Sequence, residues 1–169
     1  MKSNNVLDLR TLSSLEQDQF PIGEINLNIG EQSFVVKYQK QFKDSQIQEL
    51  VKEWLLIKQA TEDKIEVNMY DISFILIFKH FTDVPFEEIE DVLGRVEHYI
   101  RMTNLLVDLK AEDGVSLFEK IFTALDEEQI KKITETMNKV SKSMLEETEK
   151  LQESGEYKEL LDFLEKSEE

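Results

Sequence analysis

Between Met69 and Phe81 the chain reads MYDISFILIFKHF, and no other stretch constrains the fold as strongly. Ile72, Phe74, Ile75, Leu76, Ile77, Phe78 and Phe81 leave a helix there apolar almost all round, and such a helix belongs at the centre of a domain. Its longest apolar run, Ile72 to Phe78, is interrupted by Ser73 and falls far short of the roughly 20 residues that span a bilayer. A core helix is therefore expected, and the rest of the chain must supply the amphipathic elements that coat it. Only two prolines and five glycines stand among 169 residues, so long helices meet few breakers.

The flanking patterns fit that demand. Asp44 or Ser45 is a suitable cap for a helix whose apolar positions Ile47, Leu50, Val51, Trp54 and Leu55 recur at three-and-four spacing and which should end near Ala60. Asn68 starts the central helix. Asp83 before Val84-Pro85 matches a capped start with proline in the first turn, opening a helix that carries Ile89, Val92 and Leu93. Gly94 bends or breaks it before Val96, Tyr99, Ile100, Leu106 and Val107 carry the spacing to about Leu109. After a turn at Asp113-Gly114, Leu117, Phe118, Ile121 and Phe122 make a short helix ending near Leu125. Asp126 with Gln129 has the spacing of a capping box, and Glu127 and Glu128 suit the dipole of the helix it opens. Ile130, Ile133, Met137, Val140, Met144 and Leu151 then trace a heptad seam along about 26 residues, or roughly 39 Å. Ser154-Gly155 ends it, and Tyr157, Leu160, Leu161 and Leu164 mark one more helix, able to fold back over the seam.

Near the N-terminus the period changes from helix to strand. Ile25, Leu27 and Ile29 alternate with polar residues, Gly30-Glu31 permits a turn, and Phe34, Val36 and Tyr38 resume the alternation. A β-hairpin over about 24–39 results, and since a lone hairpin is marginally stable it must lean on the helices or on another chain. Residues 1–20 carry scattered leucines and form an arm, flexible or a short helix. The expected fold is mainly α: a helical domain over 21–169 with one small N-terminal β-hairpin and a long C-terminal helix.

Thirty-six acidic against twenty basic residues give a formal charge of −16, with no basic patch, which argues against direct nucleic-acid binding. Cysteine is absent, so neither a disulfide framework nor a thiolate metal site is expected. No apolar signal-peptide centre appears in residues 1–20, which leads to a cytoplasmic expectation. His80 and His98 stand 18 residues apart, outside any metal-pairing spacing, and no phosphate loop, nucleophile elbow or calcium loop occurs. Glu87, Glu88, Glu90 and Asp91 read as carboxylates drawn to a helix start rather than as cation ligands. The expectation is a chain without enzyme activity, metal or cofactor.

The order of these parts resembles a known group. The hairpin ending in Val35-Val36-Lys37-Tyr38, the helix after it, the Tyr70–Phe81 core helix and Leu125-Asp126-Glu127-Glu128 opening a long acidic helix look like small virion-assembly proteins of long-tailed bacteriophages, tail assembly chaperones above all. The resemblance covers roughly residues 24–151. It implies a cytoplasmic, non-catalytic protein that binds phage structural subunits and shields their apolar surface before assembly. The residues expected to meet such a partner are Phe34, Val36 and Tyr38 on the hairpin and Met137, Val140 and Met144 on the seam. Three alternatives stand beside it: an acidic host-directed inhibitor that imitates nucleic acid, a virion structural component, and an enzyme whose pocket brings perturbed carboxylates to His80 or His98.

Overall fold

A computed structural model describes residues 9–61 and 67–153. The apolar segment forms helix α3, Met69–Phe81, and buries Ile72, Ile75, Leu76, Ile77, Phe78 and Phe81. Asn68 caps it as expected, its side chain accepting the Tyr70 N–H at 3.1 Å. Helices α2 (Asp44–Thr61) and α4 (Val92–Asp108) pack against α3 and against each other, and α5 (Leu117–Ala124) packs on α4. From α2 come buried Ile47, Leu50, Val51, Trp54 and Ile57, and from α4 buried Val96, Tyr99 and Leu106. Aromatic rings join α5 to α3: Phe78 lies 4.9 Å from Phe118 and Phe74 5.2 Å from Phe122, centroid to centroid. Each such fully buried side chain contributes about 1.5–3 kcal/mol of transfer free energy, which is why the all-round apolar helix takes the middle.

The hairpin consists of β1 (Ile22–Ile29) and β2 (Gln32–Gln39), paired antiparallel with Ile25 opposite Val36 and Leu27 opposite Phe34. Gly30 has φ +57° while Glu31 is not in the left-handed region, the arrangement of a two-residue II′ turn with glycine first. The expected alternation holds on β1, where Gly23 and Leu27 are buried and Ile25 and Ile29 half-buried. The hairpin does lean on its neighbours: Glu112 N–H donates to Asn28 O and Asp83 N–H to Lys37 O, both at 3.0 Å.

Residues 83–91 depart from expectation, since they are not helical. Asp83, expected as a helix cap, instead binds β2 in both directions, its N–H donating to Lys37 O and its carboxylate accepting Lys37 N–H at 2.7 Å. Thr82 forms a bridge with Tyr38 beside it. The helix starts nine residues later, where Asp91 caps it by accepting the Gly94 N–H at 2.7 Å. Pairing with an open strand outweighs the local proline signal, and Gly94 falls in the first turn of α4 rather than breaking it. Glu87, Glu88 and Glu90 accordingly precede the helix and do not line its first turn.

The arm contains helix α1, Leu9–Gln19. Helix α6 runs Glu127–Glu153, and Asp126 accepts the Gln129 N–H at 2.9 Å as a capping residue does. The other half of the capping box is absent: Gln129 Oε1 accepts the Phe42 N–H at 3.2 Å instead of turning back to Asp126. By its contacts the chain divides into a unit ending at Ile130 and a second from Lys131, whose described part is the α6 stretch 131–153. The expected helix at Tyr157–Leu164 and seam residue Leu151's side chain lie outside what is described.

Candidate functional site

A carboxylate sits inside the apolar face of α2. Glu53 follows Leu50 by three and precedes Ile57 by four, so it is carried to the helical face that packs inward, and its side chain is only 11% exposed. A charge placed there needs partners, and α3 and α4 bring them. From the last turn of α3, Lys79 Nζ donates to both carboxylate oxygens at 2.7 and 2.9 Å, and His80 Nε2 lies 3.0 Å from Oε2. From α4, Tyr99 O–H donates to Oε1 at 2.5 Å and Arg95 Nη1 approaches it at 3.4 Å. Lys79 also donates to the Tyr99 hydroxyl oxygen at 2.7 Å. Arg95 is aimed by the extended segment before α4, donating through Nε to Ile89 O at 3.1 Å and through Nη2 to Glu90 O at 3.3 Å.

Burial pushes the Glu53 carboxyl up, but hydrogen bonds from His80, Lys79 and Tyr99, with the Lys79 charge, outweigh it and hold the group at about 2. Burial, and then the bond to the Glu53 anion, push the Tyr99 phenol far above its ordinary value. The cluster lies along an open cleft of about 610 Å³ that Glu49, Lys52, Leu56, Glu87, Glu88, Ile89 and Glu90 also line. The contact of Glu53 with His80 has the outline of a carboxylate–imidazole pair. The carboxyl is held in its ionised form, so it serves here as an acceptor and counter-charge rather than as a proton donor. The arrangement ties three helices together through one anion.

His98 stands apart from this cluster. It is buried, its Nε2 accepts the Glu87 N–H at 3.2 Å and its Nδ1 faces Arg101 at 3.2 Å. Among the described residues no group of three or more His, Asp or Glu is placed to hold a metal ion. Nor is any described helix long and apolar enough to cross a membrane.

The residues expected to meet a partner are dispersed. Phe34, Val36 and Tyr38 share one face of the hairpin, turned to the same side as Leu27, Ile25 and Gly23. Phe34 remains 45% exposed, whereas Val36 and Tyr38 are half-buried. The Tyr38 ring lies against Gly23, where an added Cβ would meet it at 2.3 Å. In α6, Met137 is buried and Val140 and Met144 are half-buried. Sequence reasoning missed Glu53, Lys79, Arg95 and Tyr99 as a group. Its available signal was a charge at a buried-face position of α2, with a lysine beside Phe78 in a helix otherwise apolar. It placed Leu9, Leu12 and Leu15 in an arm or short helix without giving them a partner; they are spaced by three on α1 and 83%, 47% and 52% exposed.

No curated protein and no solved structure matches the chain. A family model described as YomO does match, over residues 20–169, a span that takes in the hairpin, the Glu53 cluster and everything after α1. The chain belongs to the YomO family.

Proposed function

We propose that the chain is a non-catalytic protein-binding factor of phage virion assembly, a tail assembly chaperone or an accessory protein beside one. The observation that carries this reading is the leucine row of α1, three large apolar side chains held outward on a helix and available to cover apolar surface on a subunit. The phage-type name of the family supports a phage origin. Glu53 fits a structural part in this reading, its carboxylate engaged by Lys79, His80 and Tyr99 of the neighbouring helices. The net charge of −16 favours a second reading, an inhibitor that grips a basic groove by charge.

Salt separates the two. Screening shortens from about 10 Å at 0.1 M to about 3 Å at 1 M, so charge-led binding weakens steeply while apolar burial persists. We expect purified virion subunits to bind with less than about a threefold loss of affinity across that range. Leu12→Asp with Leu15→Asp should weaken binding at least tenfold, or by about 1.4 kcal/mol, with an unchanged circular dichroism spectrum. Steep salt dependence together with indifference to the leucine substitutions would reject the assembly reading in favour of the inhibitor.

A further inference from the structure

The two edges of the hairpin are unequal. Lys40 N–H donates to Pro21 O at 2.9 Å, and Ile22 stands opposite Gln39. The mutually hydrogen-bonded pairs therefore fall at Gly23–Tyr38, Ile25–Val36 and Leu27–Phe34. The backbone groups of Ile22, Glu24, Asn26 and Asn28 then point away from β2, and those of Ser33, Val35, Lys37 and Gln39 away from β1. Two observed bonds agree with this phase, Glu112 to Asn28 and Asp83 to Lys37.

On β2 the edge is closed where it matters. Asp83 takes both outward groups of Lys37, and the Tyr38–Thr82 bridge covers the neighbouring length, leaving Ser33 and Val35 beside the turn. On β1 only Asn28 O is taken. The outward N–H and C=O groups of Ile22, Glu24 and Asn26 have no partner among the described residues, and all three residues are exposed. A row of unsatisfied donors and acceptors on an exposed edge is a template for strand addition.

We propose that Ile22–Asn26 of β1 receives an extended segment of a partner protein as a third strand, with a lysine or arginine set against Glu24 and an apolar residue against Ile22. The proposal rests on the reading of the chain as a protein-binding factor and names the chemistry of the segment bound. The basic residue follows from charge: Glu24 stands on the exposed outer face with Ile22, with Lys37 opposite it on β2, so a lysine or arginine on the added strand flanks the carboxylate from its open side, in a chain that carries −16. A second copy is disfavoured on the same ground, since β1 against β1 centred on Glu24 sets acid against acid in two chains of −16 each. On β2, which carries the expected partner residues Phe34, Val36 and Tyr38, Asp83 and Thr82 cover the edge at Lys37 and Tyr38, while Phe34 and Val35 stay exposed.

The probe is an acetylated, amidated nine-residue peptide of alternating lysine and valine, titrated into the full isotope-labelled chain, with a glutamate-for-lysine peptide beside it. At saturation the amides of Ile22, Glu24 and Asn26 should exchange with solvent at least tenfold more slowly, while those of Gly23 and Ile25 stay as they were. Asn26→Pro removes one outward N–H and leaves the inward ladder intact, and it should weaken the lysine peptide at least tenfold. Where that variant loses the hairpin signals, Glu24→Gln carries the test: it removes the charge without setting a second lysine opposite Lys37, and it should abolish the preference for the lysine peptide over the glutamate peptide. Three results overturn the proposal: no protection of these amides up to about 1 mM peptide, equal binding of both peptides, or protection already present in the free chain through self-association. Subunits held in a salt-resistant manner without protection of β1 would sink the edge and leave the assembly reading standing. Peptide protection without subunit binding would do the reverse.

Discussion

Glu53 shows what one buried carboxylate does when two neighbouring helices each bring it partners. Its carboxyl is held at about 2 in the fold against 4.5 as the ordinary value, so the folded state binds the proton more weakly than the unfolded chain. Stability from this group is therefore fully present above pH 4.5 and is lost as pH falls toward 2. The displacement corresponds to about 3 kcal/mol at 1.36 kcal/mol per pH unit. Glu53→Gln should lower the unfolding free energy by about 3 kcal/mol at neutral pH, because Lys79 and Arg95 lose their shared counter-charge. Urea titrations of both proteins from pH 7 to pH 2 check this. The gap between them should close as the pH drops below about 4.5, and a gap that stayed constant would show that the ion cluster is not its source. A charge inside an apolar stripe was visible in the sequence at Glu53. Its partners were not, because Lys79, His80, Arg95 and Tyr99 lie 26 to 46 residues away and only the packing of α2, α3 and α4 selects them.

Among the elements, those with a strong period and an unopposed cap were legible. Asn68 and the apolar content of α3 placed the central helix, and alternation placed the hairpin within a few residues. The stretch from Asp83 to Asp91 was not legible, since a proline two residues after an aspartate is a helix start only while that aspartate is free. Here β2 engages it. Gln129 was read as half of a capping box for a similar reason, and the backbone N–H of Phe42 drew its side chain elsewhere. The hairpin supplies a sharp check of its register. In the free chain the amides of Gly23, Ile25 and Leu27 should exchange slowly and those of Glu24 and Asn26 rapidly, a period of two along β1. Uniform protection along the strand would mean that the edge is already paired and the assigned phase incomplete.

For the first unit as a whole, stability is concentrated around α3. Phe78 is fully buried between the helices and touches the Phe118 ring, so Phe78→Ala should cost about 3–5 kcal/mol in chemical denaturation. A loss below about 1 kcal/mol would place the centre of the core elsewhere. That core was legible because burial of an all-round apolar helix is decided by composition, with little dependence on detail. The surfaces that meet other molecules were much less so. Exposure of Leu9, Leu12 and Leu15, and the difference between the two edges of the hairpin, depend on which neighbours happen to cover them.

The bond from Phe42 to Gln129 spans 87 residues, and its length along the chain has a bearing on synthesis. A ribosome adding about 5–20 residues per second needs roughly 4–17 s to pass from one to the other. Throughout that interval the hairpin and the start of α2 have been synthesised, while Gln129, and for most of it Glu112, have yet to be made. The nascent N-terminal segment thus waits for its last contacts, those of Glu112 and Gln129, longer than for the pairing of Lys37 with Asp83.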